Sequence, residues 1–193
     1  MTRILLHACC APCSTSVIET FRDIDQFRDR IISDRLNLKD AEITVFYYNP
    51  NIEPHEEYQK RLSEVKKLCE SRKLSLIFSG YDNEIWRNLI KGLEHCKEGG
   101  DRCNICFRMR LDATARYAKD NGFDMFTTTL TVSPHKDSVL INRIGNEISK
   151  KENVIFIECD FKKKNGYKDS IEISRKDNIY RQNYCGCSFS MRK

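Results

Sequence analysis

The stretch Ile-Leu-Leu-His-Ala-Cys-Cys-Ala-Pro-Cys-Ser, residues 4–14, joins a short apolar run to a turn that carries three cysteines. A run of this length suits a buried strand, and the turn after it leads into a predicted helix. Similar apolar runs recur at residues 43–48, 74–78, 126–130 and 154–157. Amphipathic or charged stretches near 14–35, 55–72, 103–120 and 136–151 separate them and predict helices. This alternation predicts a doubly wound, mostly parallel α/β sheet of about five strands with helices on both faces.

The loops that follow these strands carry most of the unusual residues. The second loop reads Asn-Pro-Asn-Ile-Glu-Pro-His and the fourth Thr-Val-Ser-Pro-His-Lys-Asp, while the fifth leads into a run of lysines. Because open α/β sheets bind ligands outside the carboxyl ends of their strands, we expect these loops to converge on one crevice.

Length and composition restrict the class of protein. The chain has 193 residues, with no internal repeat or Gly/Ser/Pro-rich linker, so we expect one metal-binding α/β domain over residues 1–193. The first apolar run is too short for a signal peptide or a membrane span, which predicts a cytoplasmic protein without a membrane partner. In that reducing compartment, ten cysteines indicate metal binding or redox chemistry rather than a disulfide framework. The net charge of +5 allows an anionic partner such as RNA.

Seven of the ten cysteines form three groups in the sequence: Cys9, Cys10 and Cys13; Cys103 and Cys106; Cys185 and Cys187. The first group can ligate neighbouring metals, and the alternative is that its members are small buried side chains. The second shares one face near a helix N-terminus, which favours thiolates, although zinc ribbons and thioredoxin-like sites use the same spacing. The third could chelate one metal, hold a structural zinc or form a redox tail.

Seven thiols exceed the four that one zinc ion or one four-iron cluster requires. The sequence therefore predicts an additional metal or reactive-thiol position beside a cluster. Cys69 lies among apolar residues and is expected in the core. Cys96 and Cys159 also stand outside the three groups, and we leave all three cysteines out of the site.

His135 and Asp137, in the loop after the fourth strand, are candidate proton donors, and a structural or solvated role is the alternative for each. Five basic residues near interleaved tyrosines form a candidate surface for an RNA backbone: Lys162, Lys163, Lys164, Arg175 and Arg181. A solvated charged face is the alternative interpretation of this run.

Six segments in order resemble the QueH family of epoxyqueuosine reductases. They are Leu-Leu-His-Ala-Cys-Cys-Ala-Pro-Cys-Ser (5–14), Tyr-Tyr-Asn-Pro-Asn-Ile-Glu-Pro-His-Glu-Glu-Tyr (47–58), Arg-Cys-Asn-Ile-Cys-Phe-Arg-Met-Arg-Leu (102–111), Thr-Thr-Thr-Leu-Thr-Val-Ser-Pro-His-Lys (127–136), Lys-Lys-Asn-Gly-Tyr-Lys-Asp-Ser-Ile-Glu (163–172) and Tyr-Arg-Gln-Asn-Tyr-Cys-Gly-Cys (180–187). They span nearly the whole chain, and their joint occurrence is far more specific than any single Cys-x-x-Cys.

The resemblance implies a HUP-like (Rossmann-like) fold, a [4Fe-4S] cluster and an adjacent metal position, which an iron ion would occupy. It implies reduction of epoxyqueuosine to queuosine at the wobble position of tRNA, with electrons from an unidentified donor. Relatives with this fold often bind ATP on a glycine-rich loop after the first strand. Residues 8–12 lack glycine, so ATP use is disfavoured here.

We predict a division of the thiols between two metal positions. The adjacent pair on the first turn and the Cys-x-x-Cys pair can face each other, so Cys9, Cys10, Cys103 and Cys106 are the expected cluster ligands. Cys13, Cys185 and Cys187 are then expected to complete the second position, where the epoxide oxygen would be activated.

Two other function classes remain compatible with the sequence. An iron–sulfur enzyme of tRNA thiolation or desulfurisation would depend on ATP or a sulfur donor. A non-catalytic zinc-binding RNA module would contain neither iron nor acid-labile sulfide.

Overall fold

The computed structural model describes residues 1–33 and 36–191. Its strands are β1 (Arg3–His7), β2 (Glu42–Tyr47), β3 (Ser75–Phe78), β4 (Met125–Thr128) and β5 (Ile155–Phe156). They form one sheet in the order β3-β2-β1-β4-β5, in which every neighbouring pair is parallel. The prediction of a parallel five-stranded sheet is confirmed.

Helices cover both faces of this sheet. They are α1 (Ala11–Arg22), α2 (His55–Arg72), α3 (Asn83–Leu89), α4 (Asp101–Asp120), α5 (Ser138–Glu152) and α6 (Gly166–Lys176). Side chains alternate along β1, so Ile4 and Leu6 join the apolar cluster with α1 and α2, whereas Leu5 joins the cluster with α4 and α5. These two apolar clusters make the fold doubly wound, as predicted.

The helix predicted over 14–35 is wrong beyond Arg22, where α1 ends. Asp23 Oδ1 accepts the backbone N–H of Gln26 at 3.1 Å, and this local hydrogen bond competes with a further helical turn. A short 3-10 turn, Arg28–Arg30, follows, and the buried Arg30 forms an ion pair with Asp169. The last two positions of the predicted helix lie outside the described residues.

Two helices, α3 and α6, were not predicted from the sequence. The face of α6 that is buried consists of Gly166, Ser170 and Ser174, small residues that give no apolar periodicity. A Cβ at Gly166 would lie 1.8 Å from the carbonyl oxygen of Phe161, so only glycine fits at this helix start. In the seven-residue α3, Trp86 is the buried side chain.

The connections from β1 and β4 run to opposite faces of the sheet, since α1 and α5 belong to different apolar clusters. Ligands of doubly wound sheets bind at such a switch point, outside the carboxyl ends of the strands. The cysteines after β1 and the loop after β4 lie there. None of the helices in the described part of the chain combines the length and hydropathy that a bilayer span requires.

Candidate metal centre

The three thiols after β1 lie close together. β1 ends at His7 and α1 begins at Ala11, with Cys10 as its N-cap. The Sγ atoms of Cys9, Cys10 and Cys13 all lie within 4.8 Å of one another, and those of Cys9 and Cys10 are 3.8 Å apart. The backbone N–H of Cys13 also donates to Cys10 Sγ at 3.4 Å. This turn therefore presents several sulfur ligands in one place.

Thr129, in the 3-10 turn after β4, supports the first thiol. Its hydroxyl accepts the backbone N–H of Cys9 at 3.0 Å and donates to Cys9 Sγ at 3.3 Å. Hydrogen bonds from the Cys10 and Cys13 thiols, together with the charge of Lys136, hold the pKa of Cys9 well below its usual value despite burial. Hydrogen bonds with Cys10 and Cys9, together with burial, raise the pKa of Cys13. One thiolate is therefore favoured within the group, and metal binding must release the remaining protons.

The second pair lies in the first two turns of α4, as its spacing predicts. The backbone N–H of Gly99 donates to Cys103 Sγ at 3.2 Å. Cys103 packs against the apolar cluster that contains Cys9 and Cys10. Burial raises the pKa of Cys106 to about 12, so this thiol is protonated unless a cation binds it.

The Cys-Gly-Cys segment, residues 185–187, lies beside α4. The thiols of Cys185 and Cys187 are close enough to those of Cys103 and Cys106 to raise the pKa values of both, in addition to the effect of burial. Gly186 adopts a φ of 142°, and its carbonyl accepts the backbone N–H of Glu53 at 2.8 Å. The loop after β2 thus holds the turn between the two thiols.

A Gly186→Ala substitution is expected to lower the free energy of unfolding. The strained backbone alone costs about 1–3 kcal/mol. The new Cβ would also lie 3.1 Å from both Asn51 Nδ2 and Ile52 Cγ1. Gly92 is a matched control, because it also has positive φ but no atom of the described residues lies within 4 Å of the added Cβ. Denaturant unfolding should show a larger decrease for Gly186→Ala, and equal decreases would contradict close packing around residue 186.

Two cations balance these thiols. Lys136 is half-buried, and although burial lowers the pKa of its ammonium, the thiolates of Cys185, Cys9 and Cys13 raise it above its usual value. Arg110 is buried on α4, and the negative charges that Cys106, Cys185 and Cys9 carry when deprotonated likewise outweigh the effect of burial on its pKa. Both residues therefore favour a negatively charged group between them.

The donor set fits an anionic iron–sulfur cluster. Cysteine thiolates hold such clusters, and hydrogen bonds to sulfur tune them, as those from Thr129 and Gly99 would here. Arg110 Nε donates to the carbonyl of Cys106 at 3.0 Å, but its buried Nη2 has no hydrogen-bond partner among the described residues. A sulfide or thiolate acceptor would satisfy this orphaned donor. All ten cysteines are free thiols, so none of the seven is committed to a disulfide.

A cavity of about 200 Å³ opens onto the thiols of Cys9, Cys13 and Cys185. Its other walls include residues from the loop after β4, the first turns of α6 and the segment before Cys185: Ser133, His135, Lys136, Tyr167, Ser170, Arg181, Gln182, Asn183 and Tyr184. A smaller cavity, about 20 Å³, lies beside Cys103 and also contacts Cys185. Cys185 therefore lies between the first turn and the α4 pair.

The two candidate proton donors lie in different environments. His135 is exposed and lines both cavities. Asp137 lines the smaller one but is the N-cap of α5, where its Oδ1 accepts the N–H groups of Val139 at 2.8 Å and Leu140 at 3.2 Å. The geometry therefore brings His135 to the larger cavity and uses Asp137 to begin a helix.

The five predicted RNA-binding residues do not form one free surface. Arg181 lines the large cavity, and Arg175 is exposed in the last turn of α6. Lys162 pairs with Asp160 at 2.8 Å and Lys164 with Asp29 at 3.1 Å. Lys163, between them, is exposed.

Comparison with known proteins places this arrangement in a family. The sequence model described as epoxyqueuosine reductase QueH matches residues 4–193. The chain belongs to this family. The epoxyqueuosine reductase QueH of Streptococcus pyogenes serotype M1 is 38% identical over 193 residues, which cover 97% of this chain and 69% of the relative. That of Thermotoga maritima is 35% identical over 194 residues, which cover 99% and 91% of the two chains.

A solved structure confirms the HUP-like fold. The U34-tRNA thiolase NcsA from Methanococcus maripaludis, with its [4Fe-4S] cluster, aligns with a TM-score of 0.56 over 99% of this chain at 10% identity. The chain spans 62% of that protein's length. At this identity the likeness shows the fold, while the family assignment comes from the sequence.

Three residues beside the cysteine motifs of this chain were missed from the sequence as site residues: Lys136, Arg110 and Thr129. A charged residue on a helix or in a polar loop is usually solvated, so residue type gave no signal. Two signals were available. Lys136 directly follows the candidate acid His135, and Arg110 lies one turn after Cys106 on the same helix face.

Proposed function

We propose that this chain is an epoxyqueuosine reductase, which removes the epoxide oxygen of epoxyqueuosine in tRNA to give queuosine. The observation that carries this proposal is the family match over residues 4–193, together with the three cysteine motifs, which line two cavities that share Cys185. In the balanced reaction, two electrons and two protons convert the epoxide to an alkene and water. An external electron donor supplies the electrons.

The seven thiols would hold the redox group in two positions. Cys9, Cys10, Cys103 and Cys106 are the proposed ligands of a [4Fe-4S] cluster. Cys13, Cys185 and Cys187 would complete an adjacent iron position, and the location of Cys185 between the two cavities supports this division. When bound, the cluster would supply electrons singly and the adjacent iron would supply Lewis acidity.

The chain's own residues would bind and orient the modified base. The Tyr167 side chain lines the cavity and offers an aromatic face for stacking. The Gln182 Oε1 atom is buried and has no hydrogen-bond partner within the described residues, so it can accept a hydrogen bond from a bound base. His135 is the proposed proton donor, and the ammonium of Lys136 would stabilise negative charge that develops on the departing oxygen. Asp137, predicted as a second acid, would act by holding the start of α5.

The basic residues near α6 are proposed to guide the tRNA backbone, with Arg181 at the cavity wall. A triple Lys162→Ala, Lys163→Ala, Lys164→Ala variant is expected to weaken tRNA binding and to reduce its salt dependence. The slope of log affinity against log salt should fall by about 0.7 for each phosphate that a removed lysine neutralises. Lys39→Ala is the control, because this exposed lysine precedes the amino end of β2, whereas the lysine run follows the carboxyl end of β5. An unchanged slope in the triple variant would identify the run as a solvated face.

The reaction is tested by analysing nucleosides of tRNA from cells that lack epoxyqueuosine reductase activity. Expression of this chain should convert accumulated epoxyqueuosine to queuosine, detected by mass spectrometry. Persistence of epoxyqueuosine despite folded, iron-loaded protein would reject the proposal. Iron and acid-labile sulfide in anaerobically purified protein would reject a zinc-binding RNA module.

The similarity to a U34-tRNA thiolase makes tRNA thiolation the second candidate function. It predicts thiolated nucleoside in the same mass spectra and dependence on ATP or a sulfur donor. The turn after β1, residues 8–12, has no glycine for close approach to a pyrophosphate. We therefore expect reduction to proceed without ATP.

A further inference from the structure

The Cys-Gly-Cys segment is held without regular secondary structure. Residues 177–187 form neither a strand nor a helix. The hydrogen-bond ladder of a strand or helix therefore does not fix the thiols of Cys185 and Cys187 next to those on α4. Contacts from other parts of the chain must provide that order.

Arg61, on α2, makes two such contacts through one side chain. It is only 2% exposed, although it carries a charge. Its Nη1 donates to the carbonyl of Cys185 at 3.0 Å, and its Nη2 donates to the carbonyl of Tyr184 at 3.3 Å. The guanidinium carbon also lies 4.8 Å from the centre of the Tyr184 ring. The planar fork thus holds two successive peptide groups immediately before Gly186.

Glu57 fixes the orientation of this guanidinium. Arg61 Nε donates to Glu57 Oε1 at 2.7 Å, one turn back on α2, and the side chain of Glu57 is 12% exposed. The Tyr180 hydroxyl also lies 3.2 Å from both carboxylate oxygens of Glu57. Replacing a buried ion pair with apolar residues often leaves the free energy of unfolding unchanged. A contribution to stability therefore explains this pair less well than the positioning of the backbone at Tyr184 and Cys185.

We propose that Arg61 is a positioning residue for Cys185 and Cys187. Oriented by Glu57, it fixes the backbone of the Cys-Gly-Cys segment and so sets where both thiols meet those of α4. The expected effect of Arg61 on turnover rests on the proposed reductase function. Its expected effect on the order of the Cys-Gly-Cys backbone does not.

An Arg61→Lys variant tests this role. Lysine keeps the positive charge beside Glu57 but has one nitrogen, which cannot reproduce the fork to two carbonyls. In the iron-loaded protein, amide hydrogen exchange over residues 183–188 should accelerate about tenfold, with exchange in β1 and α4 unchanged. The kcat for epoxyqueuosine should fall about 100-fold with little change in KM, because the reacting geometry rather than substrate binding is disturbed.

Lys67→Met, on the exposed side of α2, is the control and should behave as the wild type. An Arg61→Met, Glu57→Gln double variant leaves no unpaired buried charge, so it tests the same contacts if Arg61→Lys is poorly folded. Wild-type exchange and kcat in a folded Arg61 variant would overturn the proposal. Faster exchange throughout the chain would also overturn it, by showing a general stabilising role. If the wild type itself fails to reduce epoxyqueuosine, the proposed function fails, while exchange over residues 183–188 still decides the role of Arg61.

Discussion

Replacing Cys185 and Cys187 together with serine is expected to abolish turnover of epoxyqueuosine while leaving the absorption spectrum of the proposed four-iron cluster largely intact. The proposed cluster ligands on the first turn and on α4 remain in this variant. The proposed second metal position would lose two of its three thiols, and with them the group that would activate the epoxide oxygen. We expect turnover to fall on the order of 10³-fold, as when a group that stabilises developing charge is removed.

Cys96→Ser is the control for this double variant, because Cys96 is half-buried in the loop before α4 and outside the proposed ligand set. Iron and sulfide analysis, the absorption spectrum and single-turnover rates should be compared for the three proteins. A normal rate in the double variant would make the pair structural or incidental. Loss of the whole cluster would instead place Cys185 and Cys187 among its ligands.

The strand-and-loop pattern predicted both the sheet and the edge that carries the site. Each predicted strand exists within two residues of its predicted bounds, because buried parallel strands read as short apolar runs. β4 ends at Thr128, two residues early, since its side chain accepts the N–H of Leu130 at 3.1 Å and begins a 3-10 turn. That turn brings Thr129 into hydrogen-bonding contact with the thiol of Cys9. Because the two residues are 120 positions apart in the sequence, no local pattern predicts this contact.

Contacts between distant segments explain most of what the sequence did not reveal. Arg61 and Arg110 are both 2% exposed, although arginine is usually solvated. Each donates from Nε to an acceptor one turn back on its own helix, but the other acceptors of Arg61 are carbonyls of the distant segment before Gly186, and Arg110 Nη2 has no acceptor among the described residues. The pattern of either helix therefore gives no reason to bury them. His7 is likewise a buried polar residue whose hydrogen-bond partners lie on distant segments. Burial lowers its pKa to about 3, and its neutral ring accepts a hydrogen bond from the Thr128 hydroxyl and donates one to the Tyr48 carbonyl. Its position beside the cysteines reflects packing between strand ends.

The grouping of the thiols was only partly accessible from spacing. Three cysteines within five positions predict proximity, and their sulfur atoms do lie within 4.8 Å. Spacing could not place the Cys-Gly-Cys segment, because about eighty residues separate it from Cys103 and Cys106 in the sequence. The placement depends on the loop after β2 and on α2, which bind the segment's backbone through Glu53 and Arg61.

Substituting Cys106 with serine is expected to lower the iron and acid-labile sulfide content to less than about half of the four irons and four sulfides of a complete cluster. Cys106 is buried against Trp86 and Ile90, so a water molecule cannot readily replace its sulfur as a ligand. A serine hydroxyl must lose a proton with a far higher pKa before it can ligate iron, and burial raises that cost further. The nearby guanidinium of Arg110 would then lose one of its anionic partners, which disfavours the loaded state again.

Cys159→Ser is the matched control for this variant. Cys159 is also fully buried, but its thiol lies 3.3 Å from Thr127 Oγ1 and 3.5 Å from Thr131 Oγ1, where a serine hydroxyl can make the same hydrogen bonds. It should therefore retain full iron and sulfide, which separates ligand removal from the general effect of a buried Cys→Ser change. Full loading of Cys106→Ser would remove this residue from the cluster ligands. Equal decreases in both variants would attribute the effect to packing, whereas a decrease in Cys106→Ser alone requires that its sulfur bind the metal.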